Sequence, residues 1–485
     1  MLDFKKTLRY FLLMLVLIIS IQLFAQLSVS PVFSNNMVLQ RNKPVVIWGK
    51  EKPGATVTVS FDTQKKSTIT DENGVWKIWL KPLKVSTINK ELTISASTTL
   101  VFTNVLVGDV WLCSGQSNME YPLDRVSKKY KAGTKGTDEG LIEMENKNRS
   151  TIIRYINVDR TLKKQPELPS IGWINGNDST VRLVTAIGYF FAKEIAEKTG
   201  IPIGIISSSW GGTRIEPWIP DWAYKQSPVF KDSAQTPDFK IDGMHPGQMF
   251  NAMIKPMLPL AIKGILWYQG ESDLNSIGRA NYAAKFNLFA NTWRDLFNDK
   301  KIPLYYVQIA PHLYTKRKDA LIHTTQALPE FWELQTSCLS IKNTGMVVTT
   351  DLVPDLSDIH PPYKWIVAHR LANLAMAKLY GEKQTEFSGP KYASMKINKG
   401  NIALSFTHAT SGLTIKDATE LNWFSIAGAD GNFVPASAKI NGKKIIVSAP
   451  SVIAPTQVRF GWDEAAQPNL FNNAGLPAIP FRTNQ

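Results

Sequence analysis

Four short segments of this 485-residue chain set glycine or acids beside side chains that can move protons. They are Ser114-Gly115-Gln116-Ser117-Asn118-Met119, Ser208-Ser209-Trp210-Gly211-Gly212-Thr213, Gln269-Gly270-Glu271-Ser272-Asp273, and a later stretch holding Asp351, Asp355, Asp358 and His360. Together they contain what acyl transfer requires. A serine hydroxyl is a weak nucleophile near neutral pH until a base takes its proton, and that base needs a carboxylate to fix its tautomer and stabilise its charge. Negative charge developing on the substrate oxygen needs backbone N–H or amide donors, and glycine lets a backbone come close. On this reading Ser117 is the nucleophile and His360 the base. The N–H of Ser117, with Gly212 and Gln269, forms the oxyanion hole. A serine after a strand also caps helices, so the other three segments single out Ser117 more than its own turn does.

The chain holds six histidines, which makes the choice of base short. His369 falls within an expected helix, His323 reads as helical, and His408 lies in a C-terminal β region. His312 follows a strand with no nearby acid. His245, before Pro246, is the one rival to His360, with pocket lining as its other role. A kcat/KM profile rising near the ordinary histidine pKa of about 6.5 is the signature expected of His360 as base.

Positioning these segments calls for strands that end at one rim. Strands are expected at Asp109–Cys113, Ile201–Ser207, Ile262–Tyr268, Leu304–Ile309 and Met346–Thr350. Helical spacing marks 181–198, 279–297 and 364–380, closed respectively before Gly200, after Phe297 and at Gly381. Strands alternating with helices imply βαβ units and a parallel sheet buried on both faces, a doubly wound α/β domain. Ligands of such sheets bind outside the carboxyl ends of the strands, where all four segments fall.

On either side the chain has β character. Val45–Trp48, Thr56–Val59 and Val75–Trp79, punctuated by Pro53-Gly54 and Asn73-Gly74, suggest a small N-terminal β-sandwich. Ile402–Phe406, Ile445–Val447 and Gln457–Phe460, with Asp430-Gly431 and Asn441-Gly442 turns, mark a C-terminal β module. At about 150 residues per domain the length suits roughly three domains. The expected division is a leader at 1–25, a β domain at 26–105, the α/β domain at 106–384 and a β-rich domain at 385–485.

Lys5, Lys6 and Arg9 precede an apolar run from Phe11 to Phe24, with Ala25-Gln26 as the cleavage point, so residues 1–25 read as an export signal. A retained anchor is the alternative; the run is short for a membrane span. Export places the mature protein in the periplasm or outside the cell, with no stable membrane insertion. Removing the leader lowers the formal charge of +15 by two. With no zinc-ligand spacing, nucleic-acid motif or basic amphipathic helix, the excess reads as a solvated basic surface and not a nucleic-acid interface. The two cysteines, Cys113 and Cys338, are too few for a disulfide framework and read as buried free thiols, with a single bridge between them as the alternative. The oligomeric state is not legible.

The serine segment, Trp267-Tyr268-Gln269-Gly270-Glu271-Ser272-Asp273, Asp358-Ile359-His360-Pro361 and the closing Gly475-Leu476-Pro477-Ala478-Ile479-Pro480-Phe481-Arg482 carry a resemblance to the sialate O-acetylesterase family of SGNH-type carbohydrate esterases. It covers most of the chain after residue 26. The resemblance implies a three-layer α/β hydrolase that removes O-acetyl groups from sugars without metal or cofactor, with Ser117 as nucleophile and His360 as base. In much of the wider SGNH group the acid lies three residues before the histidine, where this chain has Ser357. Asp358, two before, is taken as the acid; Asp355, Asp351 and Glu271 are the alternatives. Asn118 reads as holding the serine turn. Trp210, Trp218 and Tyr268 are candidates for stacking on sugar rings, with core packing as their other role. Arg214 is the candidate to hold an anionic sugar's carboxylate, or else pairs with Glu216. The implied substrate is an O-acetylated sialic acid or glycan, or an acetylated polysaccharide such as xylan. A non-catalytic carbohydrate-binding protein is the alternative of another class.

Overall fold

Six parallel strands carry the four segments: β1 (Thr99–Gly115), β2 (Ile153–Asn157), β3 (Ile203–Ser209), β4 (Gly264–Tyr268), β5 (Leu304–Val307) and β6 (Thr344–Val347). The computed structural model describes residues 26–125, 136, 138–146, 149–163, 167–177, 179–318, 321, 323–384 and 386–484; the expected leader lies outside them. The strands lie in the order β2-β3-β1-β4-β5-β6, with Ile174–Asn175 antiparallel on the β2 edge. Every residue of β4 and β5 is buried, which is why both read as unbroken apolar runs.

All five expected strands are present with shifted bounds, and one strand is new. β3 begins after Pro202 and runs on through Ser208 and Ser209, which pair with Ser114 and Gly115 of β1. β2 was not expected, because Arg154 interrupts its apolar pattern. The guanidinium is accommodated by the side-chain carbonyls of Asn175 at 3.0 Å and Asn104 at 3.2 Å, and burial lowers its pKa to about 10.

The helices that follow the strands are α1 (Ser117–Glu120), α2 (Ala186–Thr199), α3 (Glu271–Leu274), α4 (Tyr282–Leu296), α5 (Ala327–Ser337) and α6 (Lys364–Leu379). α2 starts later than its apolar spacing suggests because Thr185 caps it, accepting the Gly188 N–H at 3.4 Å, and it ends at Gly200 in the left-handed region. α5 went unread. Its Pro329 looks like a breaker, but it lies in the first turn, where its missing N–H would have had no partner. His323 precedes α5 as loop, correcting its helical reading.

Most N-terminal strands pair antiparallel, Val45–Lys50 with Val75–Leu80 and Thr56–Phe61 with both Gln64–Ile69 and Ser86–Ser95, while Val38–Gln40 runs parallel to Leu106–Gly108. Ser86–Ser95 then pairs with the first half of β1, whose second half lies between β3 and β4. β1 therefore runs straight through residue 105, where a domain boundary was expected. Its side chains contribute to one apolar core that runs from Leu27 to Met376 and takes in Ile479 from the C-terminal segment. The C-terminal strands bury a separate core from Ile402 to Phe481. Arg482, bidentate to Glu333 of α5 at 2.8 and 3.1 Å, and Glu464, accepting the Thr315 N–H at 3.0 Å, tie that module to the rest. The fold is mixed α/β, with a mostly parallel central sheet and additional antiparallel sheets.

Cys113 and Cys338 are free and buried. Burial pushes the Cys338 thiol up to about 12 and Cys113 higher still. The thiolate is the reactive form, so iodoacetamide should leave both unmodified in the native protein and alkylate both after unfolding in urea. Rapid native alkylation would contradict this burial.

Candidate active site

The turn from β1 into α1 is forced tight against β4. Gly115 has φ +137°, and a Cβ there would collide with the Tyr268 carbonyl, which accepts the Gln116 N–H at 2.9 Å. The turn sets Ser117 at the first position of the one-turn helix α1. Its Oγ lies 2.9 Å from Nε2 of His360, brought from a loop 243 residues away in sequence. Ser117 and His360 thus stand at hydrogen-bond distance, the arrangement a nucleophile and its base require.

Of the four acids considered, Asp358 faces the imidazole. Its Oδ1 accepts the His360 N–H at 2.9 Å and lies 3.9 Å from Nδ1, an ion-pair distance longer than a hydrogen bond. Asp351 is bidentate to Arg370 at 2.8 and 2.7 Å, Glu271 accepts from Asn118 Nδ2 at 2.5 Å, and Asp355 accepts the Ser357 N–H at 2.8 Å. His245 pairs with Asp238 at 3.3 Å in a separate cleft of about 390 Å³, lined also by Leu162, Phe239 and Asn251. The rival base is therefore engaged elsewhere.

Burial, then the charges of Lys364 and Arg125, lower the His360 pKa to about 4, with Asp358 opposing the shift. The expectation of a rise near 6.5 moves accordingly. A lowered pKa keeps the imidazole neutral, and able to accept a proton, further into acid. The acid limb of kcat/KM for an aryl acetate should therefore fall near pH 4, with a plateau above about pH 6. An acid limb centred at 6.5 would contradict this environment.

The second loop lies directly against the serine. A Cβ on Gly211 would stand 3.2 Å from Ser117 Cβ, and the Gly211 N–H donates to Glu120 Oε2 at 2.7 Å. Glu120, whose other oxygen pairs with Arg160 at 3.2 Å, is a residue that motif reading missed. It closes the helix that Ser117 opens and so fixes the glycine loop beside it. Gly212 follows, exposed and at φ +77°.

The oxyanion expectation for Gln269 is corrected, and Tyr268, Trp218 and Arg214 take their other expected roles in place of sugar contacts. Gln269 is fully buried, and its Nε2 donates to Asp273 at 2.5 Å, with Gln116 Oε1 and the Thr213 carbonyl each at 3.3 Å. Its amide is committed to bracing the loops and is not an open oxyanion donor. Tyr268 is wholly inside the core, and Trp218 likewise, with its N–H donating to Thr213 Oγ1 at 3.0 Å; neither offers a face to a sugar. Trp210 is half-buried, beside the glycine pair. Arg214 has its guanidinium committed: Nε and one terminal nitrogen go to Glu216, the other to the Asp242 carbonyl at 2.9 Å. It serves the fold as an ion pair and has no fork to offer a substrate carboxylate.

That pair belongs to a buried charge cluster that sequence reading also missed. Lys285 Nζ lies 2.7 Å from Glu216, 3.1 Å from Asp242 and 3.2 Å from Asp273. Asp273 in turn accepts the Ile215 N–H at 3.0 Å, tying the glycine loop to α3. The available signal was Lys285 itself, a cation at helical spacing on the face made by Tyr282, Phe286 and Phe289. Gln116 Oε1 makes the matching tie from the serine turn, accepting from Ser272 N at 3.3 Å and Gly270 N at 3.4 Å.

Residues 107–374, more than half of the chain, match the family model for carbohydrate esterases described as sialic acid-specific acetylesterases. Sialate O-acetylesterases of Pongo abelii and Homo sapiens are each 28% identical, over 92% of this chain and 91% of theirs. The crystal structure of a carbohydrate acetylesterase from Xanthomonas citri superposes with a TM-score of 0.83 at 32% identity, covering 95% of this chain and 100% of that one. With a serine and a histidine in contact at the rim of its sheet, the chain belongs to the sialic acid-specific acetylesterase family of carbohydrate esterases and is a carboxylic ester hydrolase.

Proposed function

We propose that this protein is an exported serine esterase that removes O-acetyl groups from sugars through an acetyl-enzyme intermediate. The observation that carries the reading is the 2.9 Å contact between Ser117 Oγ and His360 Nε2. Ser117 Oγ attacks the acetyl carbonyl as its proton passes to Nε2. The oxyanion is met by the backbone N–H groups of Ser117 and Gly212. Nε2 returns the proton to the departing sugar oxygen, and water then enters by the reverse sequence to release acetate. Asp358 stabilises the imidazolium and, through the His360 N–H, holds its backbone.

The sheet reads as the doubly wound SGNH arrangement. α2 and α6 are linked by Glu194 and His369 at 2.9 Å, and α4 and α5 pack through Tyr282 and Phe331 with ring centroids 4.7 Å apart, which suits one helical layer on each face. Residues 385–485 then form an accessory β module and residues 26–105 a β extension fused to the catalytic sheet. Residues 1–25 are the export leader, delivering the enzyme to the periplasm or exterior. No described helix is long and apolar enough to cross a membrane.

The substrate reading is an O-acetylated sialic acid. A second reading, an acetyl ester on a neutral polysaccharide, is favoured by the engagement of Arg214 with Glu216, which removes the candidate partner for a sialate carboxylate. Acetate release from O-acetylated sialosides and from acetylated xylan, measured side by side, separates them. A higher kcat/KM on sialosides is expected; a clear preference for xylan would overturn the sialate reading and leave the serine mechanism standing.

A further inference from the structure

His360 is flanked by two carbonyls, and both are held from behind. Asn118 Nδ2 donates to the Ile359 carbonyl at 3.0 Å, and Lys364 Nζ donates to the Pro361 carbonyl at 2.6 Å. The holders are joined to each other, since Lys364 Nζ also donates to Asn118 Oδ1 at 2.7 Å, and Asn118 Nδ2 also reaches Glu271 Oε1. Asn118 is the residue after the nucleophile, Glu271 opens α3 beyond β4, and Lys364 opens α6. Three of the four loops thus meet behind the imidazole. Asn118 is fully buried, and Glu271 and Lys364 are each 2% exposed. The ammonium also lies over the Tyr121 ring at 4.7 Å.

Burying an ammonium near a carboxylate carries a desolvation cost that an apolar cluster of similar volume avoids. Stability alone therefore does not account for the lysine here. What it does is specific: it grips the backbone one residue after the base and the side chain one residue after the nucleophile. We propose that Lys364 and Asn118 are positioning residues that clamp the His360 backbone against Ser117, with Lys364, while protonated, also placing a positive charge near the imidazole. This rests on His360 being the base of the esterase.

The two holders should separate in their effects. The groups that face His360 are Lys364, Arg125 and His312, which disfavour the imidazolium, and Asp358, which favours it. Burial brings the Lys364 pKa down to about 7, so it is charged throughout the acid limb. Removing its charge raises the His360 pKa, whereas removing the Asn118 amide leaves the charges in place.

The test is kcat/KM for an aryl acetate against pH, for the full mature chain and for Lys364→Met and Asn118→Ala, with thermal unfolding followed in parallel. Asn118→Ala is expected to lose on the order of 100-fold with its acid limb unmoved, as a misplacement of about 1 Å would produce. Lys364→Met is expected to lose activity and also shift its acid limb upward from pH 4. A folded Lys364→Met with the parental limb and rate would overturn the proposal. So would Asn118→Ala with parental kcat/KM, which decides the matter if Lys364→Met does not fold. If Ser117→Ala matches an active parent, the esterase reading itself fails; if only the clamp variants are silent, this inference alone fails.

Discussion

Ser117→Ala and His360→Ala should each remain folded and lose on the order of 10⁴- to 10⁶-fold in kcat on an aryl acetate. The size follows from how the pair works. Without the hydroxyl there is nothing to acylate; without the imidazole the hydroxyl keeps its proton near neutral pH. Because the two act as one device, the double variant should be no slower than either single one. Multiplying effects would mean that Ser117 and His360 act in separate steps, against the 2.9 Å contact between them. Folding should survive because the His360 loop is held by Asn118, Lys364 and Asp358 through backbone groups that neither substitution removes. Asp358→Asn should cost less, since its closest contact with the imidazole is 3.9 Å.

Lys285→Met should destabilise the protein by about 3–5 kcal/mol, the scale for removing one partner of a buried ion pair. Lys285 is the shared cation of Glu216, Asp242 and Asp273, and its ammonium and the Glu216 and Asp273 carboxylates are fully buried. Burial and the neighbouring Asp273 already raise the Glu216 pKa with the lysine present. Without it, the Glu216 carboxyl titrates at still higher pH in the folded state than in the unfolded one. The penalty is therefore fully felt above that folded pKa and shrinks as pH falls and Glu216 takes up its proton. Urea unfolding of parent and variant at neutral and mildly acid pH checks both the size and the sign. A loss below 1 kcal/mol, or one that grows on acidification, would contradict the cluster's role. Activity should also suffer, because Asp273 holds both the Ile215 N–H and the Gln269 amide.

That Ser117 and His360 meet was legible because acyl transfer needs rare types at strand ends, and six histidines left few candidates. Binding residues were less legible because burial decides their role. Tyr268 ends an apolar strand covered on both faces, so its ring went to the core, and Gln269 followed it. Arg214 and Glu216 are two residues apart, so their pairing could be expected beside a substrate contact, and the turn between them decides for the pair. The same holds for β2, whose Arg154 hides a strand until Asn104 and Asn175 are seen to meet it. The boundary expected at 105 failed to appear as a break because one strand serves antiparallel partners with its first half and parallel ones with its second. Side chains whose chemistry demands a rare type can be read from type and position; those whose role burial decides cannot.

The central claim is that Ser117 carries the acetyl group during turnover. Mature enzyme mixed with excess aryl acetate and acid-quenched in the first turnovers should yield a peptide spanning Ser117 that is heavier by one acetyl group, with the ester mapped to the Ser117 side chain by fragmentation. Ser117→Ala treated identically should yield none. Acetate release at the parental rate with no acetyl on that peptide, or with the acetyl on another residue, would contradict the account.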